Sequence, residues 1–357
     1  MNSKEIEMKH TFRRIASAVL ALVMMTVTLS VFSLSASAGG SCGENLTWSY
    51  TSGILTISGT GKMTDYSSGG APWYTYRSKL SKVIIENGAT SIGAYAFYYC
   101  EKMTSITIPQ SVTEINDYAF RFCRALTKIT LPDRLTTIGK SAFNTCNKLT
   151  SIVIPGSVTS MGDYVFANCE SLKEITLPPY ITSIGESAFF SCKSLESITI
   201  PAGVTSIGAC AFYYCKALVS IAIPGRVTSL GRQSFYECDN LEKIIYCGRE
   251  YAWEIMEKGS SWNEGTPAEI QFHNYVDGYC TECGKGINDP DYILGDADGD
   301  FEISNSDVLR IYRYIYDAET YPLDAEVADI NKDGVISNAD VLCIYRYIYD
   351  PELYPLN

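Results

Sequence analysis

Chemistry in this chain concentrates in two twelve-residue stretches near the C-terminus. One runs from Asp296 to Asp307 and the other from Asp329 to Asp340. At positions 1, 3, 5, 9 and 12 the first places Asp296, Asp298, Asp300, Ser304 and Asp307, and the second Asp329, Asn331, Asp333, Ser337 and Asp340. Position 7, Glu302 or Val335, is available through its carbonyl. An all-oxygen shell with a late acid closing it in bidentate fashion is what calcium prefers. Two calcium ions are therefore expected. Ile303 and Ile336, at position 8, are expected to pack the loops together. Phe301 stands where the second loop has Gly334, which predicts weaker binding or a strained turn in the first loop.

No catalytic constellation accompanies these loops. The chain has 2 histidines, His10 and His273, which weakens any triad. Glycoside hydrolysis needs two convergent carboxylates. Glu174 and Glu196 are charged substitutions on a repeating template, read as solvated-face residues. His273 with Cys280 and Cys283 has partial zinc spacing. Zinc needs about four ligands, so Cys247 would have to join them. A Cys280–Cys283 disulfide or a degenerate ribbon reads equally well, and the balance falls against zinc.

Behind each loop the sequence predicts a helix, Val308-Leu-Arg-Ile-Tyr-Arg-Tyr-Ile-Tyr and Val341-Leu-Cys-Ile-Tyr-Arg-Tyr-Ile-Tyr. The duplication offset is 33 residues. Asp307 and Asp340 are placed to cap these helices while serving an ion. With no entering helix and an aspartate as late ligand, the segment from Ile293 onward resembles a type I-like dockerin. The resemblance implies a small all-α, calcium-stabilised module that docks into a cohesin of a scaffoldin, as in cellulosome-like assemblies of anaerobic bacteria. Its contact positions fall on Asn305, Ser306, Tyr312 and Arg313, and on Asn338, Ala339, Tyr345 and Arg346. The near-match of the two halves implies docking in two orientations, biased by the hydroxyl missing at Ala339.

The larger part of the chain is scaffold. Residues 78 to 247 repeat a 23-residue unit seven times. Apolar pairs such as Ile129 and Leu131, or Ile152 and Ile154, alternate with small or polar residues, the period of a strand with one buried face. Pro109, Pro132, Pro155, Pro178, Pro201 and Pro224 end the strand at the same place each time. A glycine is then expected to let the chain turn. Phe97, Phe120, Phe143, Phe166, Phe189, Phe212 and Phe235 predict an aromatic spine along the outer side. A unit this small cannot bury its own apolar face, so the coils must stack.

These repeats resemble the bacterial surface leucine-rich-repeat family whose unit joins the strand to an Ala-Phe-x-x-Cys segment. That implies an α/β solenoid with short strands lining a concave face and outer turns or helices. Members are often cell-surface proteins proposed to bind host proteins, other cells or polysaccharide. The concave positions here, among them Ser105, Thr107, Lys128, Thr130, Val153 and Glu174, are short, weakly charged and free of aromatics. Such a surface offers few anchors.

Thirteen cysteines suggest disulfides in a secreted chain. Seven of them, Cys100 through Cys238, recur every 23 residues, which favours one buried free-thiol slot per coil. Lys9, Arg13 and Arg14 before an apolar stretch from Ile15 to Leu34, then Ala36-Ser37-Ala38, predict a signal peptide cleaved before Gly39. No further long apolar run follows, so no membrane span is expected after cleavage. Leu46–Tyr50 and Ile54–Ser58 predict a hairpin, with Trp48 and Trp73 capping the first coil rather than serving as sugar platforms. From Asp289 onward 16 acidic residues face 4 basic ones, and no basic patch interleaved with aromatics points to nucleic acid.

The expected organisation is a signal peptide at 1–38, a β cap at 39–77, the solenoid at 78–249, a C-terminal cap and linker at 250–289, and the dockerin at 290–357. The preferred function is a secreted, extracellular, non-catalytic protein docked on a scaffold, its solenoid contacting a protein, cell or glycan. The alternatives are a free adhesin or structural repeat whose tail only binds calcium, and a component with polysaccharide-related enzyme activity.

Overall fold

The computed structural model describes residues 38–248, 250–272, 275, 276, 279, 280, 303, 305–316, 328–330 and 335–349. The chain enters through β1 (Ala38–Ser41), β2 (Gly43–Thr51) and β3 (Ile54–Met63), all antiparallel neighbours. Ser52 and Gly53 both have positive φ, 50° and 87°, the two-residue turn whose twist suits a hairpin. β3 then pairs in parallel with Lys82–Ile85, Leu55 opposite Val83. It takes the place of a preceding coil and covers what would be an open edge.

Each coil contributes a two-residue strand to one side, and most contribute a longer strand to the other. The expected strand around Ile129 and Leu131 is not formed, and that around Ile198 and Ile200 is reduced to a single bridge, Thr199 to Ala222. Glu174–Thr176 lies on Ser151–Val153, and Ser220–Pro224 on Lys243–Cys247, in parallel. On the second side Thr137–Ile138 sits between Glu114–Ile115 and Ser160–Met161. The outer side is closed by turns: among the described residues of 78–248 there is no helix.

These turns are tied to one another by backbone bonds. Tyr95, Phe97 and Tyr99 donate their N–H groups to the carbonyls of Asp117, Ala119 and Arg121 at 3.0, 2.8 and 3.0 Å. The next coil repeats this from Tyr118, Phe120 and Phe122. The pattern requires left-handed residues: Tyr95 and Tyr99 have φ of 54° and 59°, Tyr118 and Phe122 59° and 65°. An L side chain there costs about 1–2 kcal/mol. The ladder to the next coil offsets it, since it satisfies backbone groups that would otherwise be buried unpaired.

The recurring glycine does a different job from the expected turn. Gly162, Gly208 and Gly231 have no left-handed φ, but a Cβ on each would lie 2.4, 2.7 and 2.2 Å from a backbone nitrogen of the coil before. Glycine is there because two backbones touch.

The phenylalanine spine forms as expected, with its rings turned into the core from the turns. All seven rings are fully buried, and neighbours stack at 5.2–5.8 Å. Trp73 stacks on Phe97 at one end and Trp262 stands edge-on to Phe235 at the other. Trp73 is buried, with its Nε1–H donated to the carbonyl of Ala96 at 2.6 Å, and Trp48 packs edge-on to it. Both tryptophans are thus part of the cap. The helix α1 (Glu250–Ile255) and the strand Glu269–Phe272, paired with Lys243–Cys247, close the far end.

The seven ladder cysteines are buried free thiols. Six of them donate Sγ–H to the phenylalanine carbonyl 26 residues earlier, as Cys146 does to Phe120 at 3.4 Å.

Further on, α2 (Asn305–Tyr316) and α3 (Asn338–Tyr349) pack together. Val308, Ile311, Ala328, Ile330, Val341 and Ile344 form their buried core, and Ile303 and Ile336 both pack against it. The two loop isoleucines thus meet one cluster, as their shared position suggested.

Candidate metal centre and docking face

The second loop is described from Val335 onward, together with Asp329 and Ile330. Asp340, in the first turn of α3, is fully buried. Its Oδ2 accepts the N–H of Ser337 at 2.9 Å, while Ser337 Oγ accepts the N–H of Ala339 at 3.1 Å. Ser337 thus caps the helix through the N–H of Ala339, and Asp340 reaches back to the N–H of Ser337, a variant of the capping box. The other carboxylate oxygen, Oδ1, accepts the N–H of Ile330 at 2.8 Å, across the loop. One aspartate therefore starts the helix and pins the loop entry beside Asp329. The Ser-x-x-Asp signature was present in both loops, Ser304 to Asp307 and Ser337 to Asp340, but was read as helix capping by the aspartate alone.

Burying a carboxylate is costly unless opposite charge or hydrogen bonds compensate. Asp307 and Asp340 are both fully buried, at equivalent positions of the repeat. The donors at hand are oxygens, the class a hard divalent cation takes. The residues fit calcium, which would supply charge compensation and hold the loop closed. Asp329 is half-buried, Ser337 half-buried and Val335 exposed. Asp296, Asp298, Asp300, Glu302, Ser304, Asn331 and Asp333 lie outside the described residues. So do His273 and Cys283, while Cys280 lies in a two-residue strand paired with Tyr275–Val276. Among the described residues no group of three or more His, Cys, Asp or Glu forms a metal cluster.

Of the expected contact positions, Asn305, Tyr312 and Arg313 on α2, and Asn338, Ala339, Tyr345 and Arg346 on α3, are exposed. Ser306 lies in the first turn of α2. Sequence reasoning missed Leu309 and Tyr316, and their counterparts Leu342 and Tyr349. These are 49%, 68%, 48% and 78% exposed. Leu309, Tyr312 and Tyr316 fall at i, i+3 and i+7, so they share one helix face. Val308, Ile311 and Ile315 form the other, turned to the core. The signal was legible as a helix with two apolar faces where a surface helix needs one.

The two helices, Asn-Ser-Asp-Val-Leu-Arg-Ile-Tyr-Arg-Tyr-Ile-Tyr and Asn-Ala-Asp-Val-Leu-Cys-Ile-Tyr-Arg-Tyr-Ile-Tyr, differ only at 306/339 and 310/343. Their outward faces match at Leu309 and Leu342, Tyr312 and Tyr345, Arg313 and Arg346, and Tyr316 and Tyr349, while Ser306 of α2 is replaced by Ala339 in α3. On the solenoid, Ser105, Thr107, Lys128, Thr130, Val153 and Glu174 are exposed, as a concave row requires. Among the described residues no helix is long and apolar enough to cross a membrane.

Parallel coils around a buried aliphatic and aromatic stack define a leucine-rich-repeat solenoid, accompanied by a separate two-helix module. Residues 72–195 and 159–249 match the family model of the BspA type leucine rich repeat region, in 6 copies. Residues 294–349 match that of the dockerin type I domain. The chain is therefore a BspA-type leucine-rich-repeat protein carrying a type I dockerin domain.

Solved structures of leucine-rich-repeat proteins are similar. One from Eubacterium ventriosum is 27% identical, with 70% of this chain and 76% of that one covered and a TM-score of 0.41. Another from Bacteroides ovatus is 25% identical, with 64% and 70% covered and a TM-score of 0.47. A leucine rich cell surface protein from Faecalibacterium prausnitzii is 21% identical, with 62% and 97% covered and a TM-score of 0.37. No curated protein matches the chain.

Proposed function

We propose that this is a secreted, extracellular, non-catalytic repeat protein that a calcium-loaded dockerin attaches to a cohesin of a scaffoldin. The solenoid is then free to contact a protein, a cell or a glycan. The observation that carries this reading is the second, solvent-facing apolar face on α2 and α3, beside a match to the dockerin type I domain. Exposed contiguous apolar surface of this kind marks an interaction site.

In this reading two calcium ions are held, one by Asp296, Asp298, Asp300, Glu302, Ser304 and Asp307, the other by Asp329, Asn331, Asp333, Val335, Ser337 and Asp340. Cohesin contact falls on Asn305, Ser306, Leu309, Tyr312, Arg313 and Tyr316 or on the corresponding set of α3. The protein divides into a signal peptide (1–38), β cap (39–77), solenoid (78–249), cap and linker (250–289) and dockerin (290–357). The short stretch between solenoid and dockerin leaves little room for a catalytic domain.

Capture on a panel of immobilised cohesins, with calcium and with EDTA, tests the proposal. Retention that requires calcium is the expected result. Retention unchanged by EDTA, or none on any cohesin type, contradicts it.

A further inference from the structure

The outer turns of the first two coils hold a cation without a counter-ion. The Arg121 guanidinium lies 4.9 Å from the ring centre of Phe122 and 5.5 Å from that of Tyr118. Its Nε is buried and finds no acceptor, and no carboxylate pairs with it among the described residues. Several surface cations of the solenoid are paired, among them Arg124 with Glu101 at 3.5 Å, Lys193 with Glu170 at 2.7 Å and Lys216 with Asp239 at 2.9 Å. The positions equivalent to Arg121 in the other coils are Tyr98, Asn144, Ala167, Phe190, Tyr213 and Tyr236, none of them charged.

The surroundings are aromatic and half-exposed. Tyr95 stacks on Tyr118 at 4.6 Å and Tyr99 on Phe122 at 4.2 Å, while Tyr98 stands edge-on to both Tyr95 and Phe122. Stacking consumes ring faces and leaves edges, which carry the positive end of the ring quadrupole. Ring edges around an unpaired guanidinium make an anion-seeking surface. It suits a carboxylate, which matches the planar fork of arginine. A sugar would stack on a ring face, and here Tyr95 and Tyr99 each have one face taken by Tyr118 and Phe122. Tyrosine and arginine held rigid together are instead the residue types that dominate protein–protein hot spots.

We propose that this ridge is an interaction surface at which Arg121 receives a carboxylate from an acidic segment of a partner protein, with Tyr95, Tyr98 and Phe122 packing around it. It is independent of the dockerin reading, because the cluster lies wholly within the first two coils and involves no calcium.

Calorimetric titration of the intact protein with poly-L-glutamate, in EDTA and at low salt, tests it, with polygalacturonate as the glycan comparator. Arg121→Met keeps the aliphatic packing and removes the charge. It is expected to weaken polyglutamate binding at least about tenfold. Arg124→Met, whose partner is already Glu101, is expected to change it by less than about twofold. Where Arg121→Met lowers the melting temperature, Arg121→Lys takes its place. It retains the charge without the fork and is expected to lose at least about fivefold. Several results overturn the proposal: no binding to the unmodified protein, equal losses in the two arginine variants, full binding by the Arg121 variant, or tighter binding of polygalacturonate.

Discussion

Cys169 donates its thiol hydrogen to the carbonyl of Phe143, 26 residues earlier, at 3.2 Å. The bond recurs one coil on, from Cys192 to Phe166. A small side chain with a weak donor thus satisfies one buried carbonyl per coil. Burial pushes the Cys169 thiol from its ordinary 9.0 up to about 12.

This predicts inert thiols. At pH 8 a group with that pKa is ionised in only about one molecule in ten thousand, and the thiolate is the reactive form. Iodoacetamide treatment of the native protein, read by peptide mass spectrometry, should leave Cys100 to Cys238 of the ladder unmodified while alkylating the half-exposed Cys210 and Cys343. Denaturation should open all of them.

The same shift sets a pH dependence. A thiol whose pKa is raised on folding favours the folded state fully below about pH 9, and that contribution is lost as pH rises toward 12. Solenoid stability should therefore fall across this window, by up to about 4 kcal/mol from Cys169 alone. Cys169→Ala should flatten the fall by about 3 kcal/mol in denaturant titrations at pH 8, 9.5 and 11. An identical slope in the variant contradicts the assignment.

Gly208→Ala should destabilise the coil even though its φ is open to any residue, because the new Cβ meets the backbone nitrogen of Glu186 at 2.7 Å. A loss of about 1–3 kcal/mol is expected, in the range of overpacking. If glycine served only a turn, chemical denaturation would show almost no change.

Phe166→Ala removes the middle of the ring stack, between Phe143 and Phe189 at 5.5 and 5.8 Å. It should cost about 3–5 kcal/mol. Because coils contact only neighbours, the lesion should also split thermal unfolding into two steps. Differential scanning calorimetry distinguishes this from a uniform shift.

Asp340→Asn removes the charge from the carboxylate that accepts both Ile330 and Ser337 N–H groups. In the intact protein it should abolish one calcium equivalent and unfold the second half of the tail, since metal binding and folding are coupled. Asp307→Asn should cost less if Phe301 already weakens the first loop. Calcium titration by calorimetry should show two unequal sites. Equal sites with equal losses contradict the asymmetry, and no calcium uptake contradicts the metal assignment.

The coil architecture was legible because its signals are chemical and periodic. Isoleucine alternation, the proline stops and the cysteine interval need no knowledge of the neighbouring coil. What stayed hidden depends on that neighbour. Tyr95 and Tyr118 in left-handed geometry contradict residue preference, and only the inter-coil N–H ladder explains them. Gly208 looks like a turn residue until the backbone beneath it is seen. On α2, Tyr312 and Arg313 were legible from resemblance. Leu309 and Tyr316 became visible once Val308, Ile311 and Ile315 had defined the inner face.

The central claim is calcium-dependent docking through either of two closely matched helix faces. It is tested most directly by titrating a cohesin that the protein retains against variants of each face, with calcium and with EDTA. Leu309→Asp with Tyr316→Ala, or Leu342→Asp with Tyr349→Ala, should each weaken binding only about twofold, the statistical cost of losing one of two equivalent modes. Combining all four should weaken it at least about a hundredfold, and EDTA should abolish it. Unchanged binding by the fourfold variant, or binding that survives EDTA, would contradict the account.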